Sequence, residues 1–280
     1  MLFLINVFVF IFGLSIGSFL NVLIDRLIND EKITGRSYCD HCHHKLAWYD
    51  LIPVLSFLLL AGRCRYCQKK ISWQYPAVEL LTGIIYLMLF QISNIKYQIS
   101  NIYNFQIFLN FELLKLLILW GVFSCFIVIF VSDFKYQLIS DWILWALFGL
   151  VFIYKTIDFL YKHSININEI FKQVNYDIYS ALVVALPIFL IYFISKEKAM
   201  GLGDVYLSAI IGFLLGWQNG FLALYIAFLT GAIYGIVLII FRLKKLKSKI
   251  AFGPFIIVGA VIMMFWGEKI LSMIKSWYGV

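Results

Sequence analysis

The hydrophobic pattern of the chain is one of long, nearly unbroken runs. Apolar windows recur at about residues 2–22, 77–92, 113–131, 142–160, 179–195, 199–217, 221–241 and 252–273. Most approach the ~20 residues with which an α-helix, rising 1.5 Å per residue, crosses a hydrocarbon core. The pattern predicts an all-α, polytopic membrane protein with about eight transmembrane helices. The first window has no basic stretch before it and no small-residue cleavage site after it, so a retained helix is expected there, not a signal peptide. Only residues 23–76, between the first two windows, form a polar stretch long enough to fold by itself. The expected division is a first transmembrane helix at 1–22, a folded loop at 23–76 and a membrane domain at 77–280.

Composition agrees with this class. Of 280 residues, 63% are hydrophobic and 14% charged, and the mean hydropathy is +0.91. Soluble domains are about half apolar and a quarter charged. The net charge of +8 could suggest nucleic acid, but its distribution does not. Basic residues crowd the odd-numbered loops: Arg26, Lys32, Arg36, Lys45, Arg63, Arg65, Lys69 and Lys70 in the first, Lys135 in the third, Lys196 and Lys198 in the fifth, and Arg242, Lys244, Lys245, Lys247 and Lys249 in the seventh. The even loops hold few: Lys96, Lys162 and Lys172, with Lys155 near a helix end. This asymmetry predicts that the odd loops are cytoplasmic and both termini outside. No nucleotide fingerprint or phosphate-binding glycine loop occurs, and no nucleic-acid partner is expected. "QISNIKY" followed by "QISNIYN", residues 91–104, reads as a low-complexity linker. "YKHSININEIFKQVNYD" in the fourth loop could form a short interfacial helix.

The first loop carries two cysteine pairs, Cys39-x2-Cys42 and Cys64-x2-Cys67. Each CxxC turn can place two thiolates on one metal, and two turns close a tetrahedral site. The 21 residues between the pairs slightly exceed the usual ribbon spacing. A cytoplasmic loop is reducing, which disfavours disulfides. A structural zinc on Cys39, Cys42, Cys64 and Cys67 is the expected arrangement; reduced packed thiols, or an iron or redox pair, are the alternatives. His41, His43 and His44 lie close enough to compete as ligands. Cys125, alone in an apolar window, reads as core.

Two acids break the apolar pattern. In "AMGLGDVYLSAIIGFLLGW", residues 199–217, Asp204 is costly at membrane depth, about 2.5–3.5 kcal/mol. The apolar run after it is only about 13 residues, so a full-length helix has to include 199–204, with Asp204 roughly 7–8 Å inside the membrane edge. Gly201 and Gly203 leave the backbone bare and permit a bent start and the close approach of another chain. A partner should lie at the same depth on the same side. Asp133, at the end of the third window in "IFVSDFKYQLISDW", meets that condition. Asp141 is the rival, but Ser140–Asp141 read as the N-cap of the next helix. Two carboxylates a few ångströms apart do not both ionise easily. Such a pair can hold a water, one acid taking its proton while the other polarises a peptide carbonyl. Spacing alone leaves open a catalytic pair, a cation site in a transporter or channel, and two helix caps.

The motifs together resemble a known family, the type IV prepilin peptidases, over nearly the whole chain. "GSFLNVLIDRL" at 17–27 is similar to its first-helix exit motif. "RSYCDHC", "IPVLSFLLLAGRCRYC" and "ISWQYPAVELLTG" resemble its zinc loop and second helix. "DFKYQLISDW" is similar to its first aspartate motif, "AMGLGDVYL" to its GxGD motif, and "FGPF" at 252–255 to the start of its last helix. Ser140 stands in place of the usual proline, Tyr206 in place of the usual lysine, and Asp25 where an aromatic is common. The resemblance implies an eight-helix membrane aspartic protease in the bacterial cytoplasmic membrane. It implies Asp133 and Asp204 as the catalytic pair facing the cytoplasm, Gly201 and Gly203 as backbone of that site, and the four cysteines as zinc ligands. The implied substrates are prepilins or pseudopilins, cut after a glycine to remove a basic leader. Members also methylate the new N-terminal residue with S-adenosylmethionine, and the zinc loop is associated with that step only through the family. A zinc-anchored ion transporter or scaffold is the competing expectation. A zinc protease is disfavoured, since no HExxH occurs.

Overall fold

Backbone amides in a bilayer have no water to bond, so apolar runs of this length are stable only as helices or closed barrels. The computed structural model describes residues 2–28, 31–32, 34–93, 111–162, 167–243 and 250–278, and its long elements are all helical. They are α1 (Leu2–Ile28), a short 3-10 turn (Trp48–Leu51), α2 (Leu55–Leu59), α3 (Gln74–Ile92), α4 (Phe111–Tyr136), α5 (Asp141–Lys162), α6 (Ile167–Ser195), α7 (Leu202–Ile240) and α8 (Gly253–Tyr278). Among the described residues the only β pairing is two isolated bridges. Among the described residues, seven helices are long and apolar enough to cross a membrane: all but α2. The protein is a multi-pass membrane protein.

The sixth of these, α7, resolves the difference from the eight predicted spans. α7 has 39 residues, about 58 Å if straight, twice the hydrocarbon core. It is not straight. Gly216 has φ 79° and ψ 165°, outside the helical region, and a Cβ on Gly220 would lie 3.4 Å from the Gly212 Cα. In an unbroken helix those positions would be about 12 Å apart. The chain therefore doubles back at Gly216, and α7 contains two of the predicted helices. The reversal falls slightly before residues 218–220, the gap between the two predicted windows.

The chain divides into two compact units, Met1–Val128 and Ile129–Val280. In the first, α1 packs along α3. Tyr86 of α3 stacks on Trp120 of α4 with ring centroids 4.7 Å apart, and Trp120 Nε1 donates to the Tyr86 carbonyl at 3.2 Å. In the second, α7 packs along α6 and α8, and more lightly on α5. Gly212 makes the first of these contacts: a Cβ there would come within 2.6 Å of the Ser180 carbonyl and 2.8 Å of Val184. Lys155 of α5 donates to Asp177 of α6 at 2.9 Å, joined by Gln173 at 3.0 Å. This pairing of two charges inside apolar helices was not foreseen from the sequence. The interfacial helix expected in the fourth loop is instead the first part of α6, which runs on from Ile167. Most of the duplicated 91–104 segment and the basic run 244–249 lie outside the described residues.

The turn at Gly216 generates a first prediction. Its backbone region is essentially restricted to glycine, and a Cβ would also press the Tyr176 hydroxyl at 3.1 Å. Gly216→Ala should destabilise the protein by about 1–3 kcal/mol. Gly149→Ala in α5, where a Cβ meets nothing within 4 Å, should be neutral or mildly stabilising. Thermal unfolding of both variants in the same detergent checks the contrast.

Candidate active site and metal centre

An acid in a membrane helix needs shelter from lipid and a hydrogen-bond donor. Asp133 and Asp204 have both, within the second unit. Asp133 lies in the last turn of α4 and is 5% exposed; Asp204 lies in the first turn of α7 and is 8% exposed. One side chain, Ile139, touches both the Gly203 that precedes Asp204 and the Gly253 that bonds Asp133. Asp133 Oδ2 accepts the backbone N–H of Gly253, first residue of α8, at 2.9 Å. Asp204 Oδ2 accepts the backbone N–H of Gly201 at 3.2 Å. Each acid thus caps a helix start with one oxygen, α8 for Asp133 and α7 for Asp204, where unpaired amides favour negative charge.

Residues 199–201 are not helical as expected: α7 starts at Leu202, with Gly201 in an extended conformation. The arm before Gly216 is short, about 21 Å, and Asp204 lies in its first turn rather than a turn or more inside a full-length helix.

The α4–α5 link closes the site. A Cβ on Gly203 would lie 3.1 Å from Ile139 Cβ, and one on Gly253 3.2 Å from Ile139 Cδ1 and 2.7 Å from Asp133 Oδ2. Ile139 therefore wedges between the starts of α7 and α8, and both contacts require glycine. Gly253 was not singled out in the sequence. Its signal was the Gly-Pro pair at the start of the last window, but its contact with Asp133 spans 120 positions. Asp141 stands apart: it is exposed in the first turn of α5, and Ser140 takes the N-cap position by accepting from Ile143 and Leu144. Lys135 places its ammonium over the Tyr136 ring at 4.6 Å.

The four paired cysteines meet in the first unit. Their Sγ atoms all lie within 4.8 Å of one another. The two CxxC turns are built alike, 25 residues apart. In the first, Cys39 N–H bonds the His44 carbonyl at 3.1 Å and His43 N–H the Cys39 carbonyl at 2.8 Å. In the second, Cys64 N–H bonds the Lys69 carbonyl and Gln68 N–H the Cys64 carbonyl, both at 2.9 Å. His43 and Gln68 hold matching positive φ values, 53° and 58°. One β-bridge closes each turn, Tyr38–Lys45 and Arg63–Lys70. Cys39 and Cys67 Sγ are 3.9 Å apart. A tetrahedral metal with bonds of roughly 2.3 Å spaces its sulfurs at about 3.8 Å, so the thiols fit such an ion. Burial opposes ionisation of Cys64, but the backbone N–H groups of Cys67 and Tyr66 and the Cys39 and Cys67 thiols pull its pKa down to about 7. That favours the thiolate a metal requires. His44 packs tilted against Tyr66, centroids 3.7 Å apart, and is not part of the cluster. Cys125 is buried in α4.

Comparison with known proteins bears on both sites. Residues 11–92, with all four paired cysteines, match the bacterial Peptidase A24 N-terminal domain; residues 120–236, with both acids, match the type IV leader peptidase family. The chain is 31% identical to a prepilin leader peptidase/N-methyltransferase of Legionella pneumophila, over 96% of this chain and 92% of that one. The chain belongs to the type IV leader peptidase family. Relatives of the same name in this family include one from Bacillus subtilis (strain 168), 29% identical over 94% of this chain and 95% of its own. Another, from Myxococcus xanthus (strain DK1622), is 54% identical over 30% of this chain and 25% of its own. No solved structure matches the chain. Family membership does not favour an ion transporter or scaffold.

The Gly253 contact is directly testable. Gly253→Ala should displace the Asp133 carboxylate and weaken its hydrogen bond, lowering stability by about 1–3 kcal/mol. Gly235→Ala, whose Cβ meets only Ile250 at an ordinary 3.4 Å, should not. Denaturation midpoints of the two purified variants against the parent give the comparison.

Proposed function

We propose that the protein is a membrane aspartic endopeptidase that removes the basic leader of prepilins or pseudopilins, and that it then methylates the new N-terminal residue with S-adenosylmethionine. The supporting observation is the pair of buried acids, Asp133 and Asp204, each holding a backbone N–H with Oδ2. That leaves Oδ1 of each for a water and the substrate. The scissile peptide follows a glycine, which keeps the substrate strand thin beside Ile139. The ionised acid takes a proton from the water as its oxygen attacks the carbonyl carbon. The protonated acid hydrogen-bonds to the carbonyl oxygen, and collapse breaks the C–N bond with a proton passing to the leaving nitrogen. The acids' negative charge orients a basic leader, while the apolar helix that follows it lies in lipid. On positive-inside logic the site faces the cytoplasm of the inner membrane and both termini lie outside.

In this reading Cys39, Cys42, Cys64 and Cys67 hold a structural zinc that ties the two CxxC turns into one module. Zinc with four thiolates has no open position, so peptide cleavage rests on the acids alone.

Asp133→Asn and Asp204→Asn should each abolish leader cleavage of a purified prepilin while the protein still inserts and folds. Asp141→Asn should keep it and lose only about 0.3–1 kcal/mol of helix-terminus stabilisation. Full cleavage by the Asp204→Asn protein would end the aspartic mechanism. The metal has its own readout. Protein purified without chelators should hold about one zinc per chain, and Cys67→Ser should lose it. Because cysteines and acids lie in different compact units, Cys67→Ser should reduce methyl transfer from labelled S-adenosylmethionine more than cleavage. Absence of zinc from the parent protein would contradict the metal assignment.

A further inference from the structure

Between the two metal-binding turns the chain exposes apolar side chains that the peptidase reading does not use. In the 3-10 turn Trp48 is 77% exposed; on α2, Leu58 is 64% and Leu59 76% exposed, with Leu55 beside them; Trp73, just before α3, is 74% exposed. In a folded module tied to a metal, such a cluster marks a contact surface.

Two hydrogen-bonded or packed contacts fix where this surface lies. Val54, at the head of α2, donates its N–H to Glu79 Oε2 at 2.7 Å. Glu79 is five residues into the span that starts at Gln74, about 7–8 Å along the helix. The bond draws α2 down to the level where α3 enters the membrane, and it holds Val54 at an unusual φ of 61°. The second contact is between the rings of Phe57 and Trp73, 4.9 Å apart. Phe57 is buried, so α2 turns it toward the foot of α3 and leaves Leu58 and Leu59 outward. Both ends of the loop continue into membrane spans, α1 and α3. Exposed cations of the same loop include Lys45, Arg63, Lys69 and Lys70; of the acids in and beside it, Asp50 is paired with Arg65 at 2.8 Å, Glu79 is bonded by Val54 and Asp40 by the Tyr75 hydroxyl. Trp, Leu and cations at that depth match the boundary between acyl chains and anionic headgroups.

We propose that the Trp48–Leu51 turn, α2 and Trp73 form an interfacial foot, by which the metal-binding module rests on the bilayer with Leu58 and Leu59 inserted among the upper acyl carbons. The module is thereby held on the membrane surface by three attachments, α1, α3 and the foot. A second copy or a soluble partner would not explain the Val54–Glu79 tether to a membrane span.

Photocrosslinking tests this in the full chain. The photoreactive residue p-benzoylphenylalanine is placed at Leu58, at Leu59 or, as a lipid-facing reference on α3, at Leu81. Each protein is reconstituted in phosphatidylethanolamine vesicles containing tritiated phosphatidylglycerol and irradiated. Light-dependent lipid label at 58 and 59 comparable to that at 81 is the expected result. Both positions are already exposed, so either variant can stand alone if the other folds poorly, with zinc content as the check on the module. Label at 81 but not at 58 or 59 would overturn the proposal, as would crosslinks at 58 and 59 that join two protein chains in place of lipid.

Discussion

The hydrogen bond from Gly253 N–H to Asp133 Oδ2 joins the end of α4 to the start of α8 and fixes one half of the site. It answers two demands at once. A helix start at the membrane has amides without partners, and a carboxylate among apolar helices has lost its water. Asp204 meets the same pair of demands with Gly201 at the start of α7. The acids are thus sheltered by the backbone of the very helices they organise. A Cβ at Gly253 or Gly203 would push into Asp133 or Ile139, so the glycines of the site serve approach rather than flexibility.

Much of this was legible in the sequence, because hydrophobic length is a strong signal in a bilayer. Both acids stood out as costly interruptions of apolar runs, and the CxxC pairs stood out through their repeat. What escaped had its cause far away in the chain. Gly253 matters because of Asp133, and Lys155 sits in its helix because Asp177 on α6 neutralises it. The two windows predicted for α7 part at residues 218–220, but the turn needs a single backbone conformation that Gly216 supplies earlier. The helical start at 199 was expected from length alone. The first arm of α7 is shorter because it packs inside the second unit, where its flanks are protein and a full bilayer span is not required.

The paired cysteines lie in one compact unit and the two buried acids in the other. The first holds four thiols placed to bind a metal, on two like turns 25 residues apart. The second holds the two buried acids, each bonded to a backbone N–H at a helix start. A family-level comparison divides the chain between residues 92 and 120, with the cysteines on one side and the acids on the other.

Whether Asp133 and Asp204 form one site is the claim on which everything functional rests. It can be measured without any substrate. In a chain carrying Cys125→Ala, Asp133→Cys and Asp204→Cys are introduced together, and the membrane-embedded protein is treated with a short bifunctional thiol reagent. The account predicts a crosslink between positions 133 and 204, found as a joined peptide by mass spectrometry, forming within one chain and independent of protein density. A folded, zinc-loaded protein in which both cysteines react singly but never with each other would contradict it.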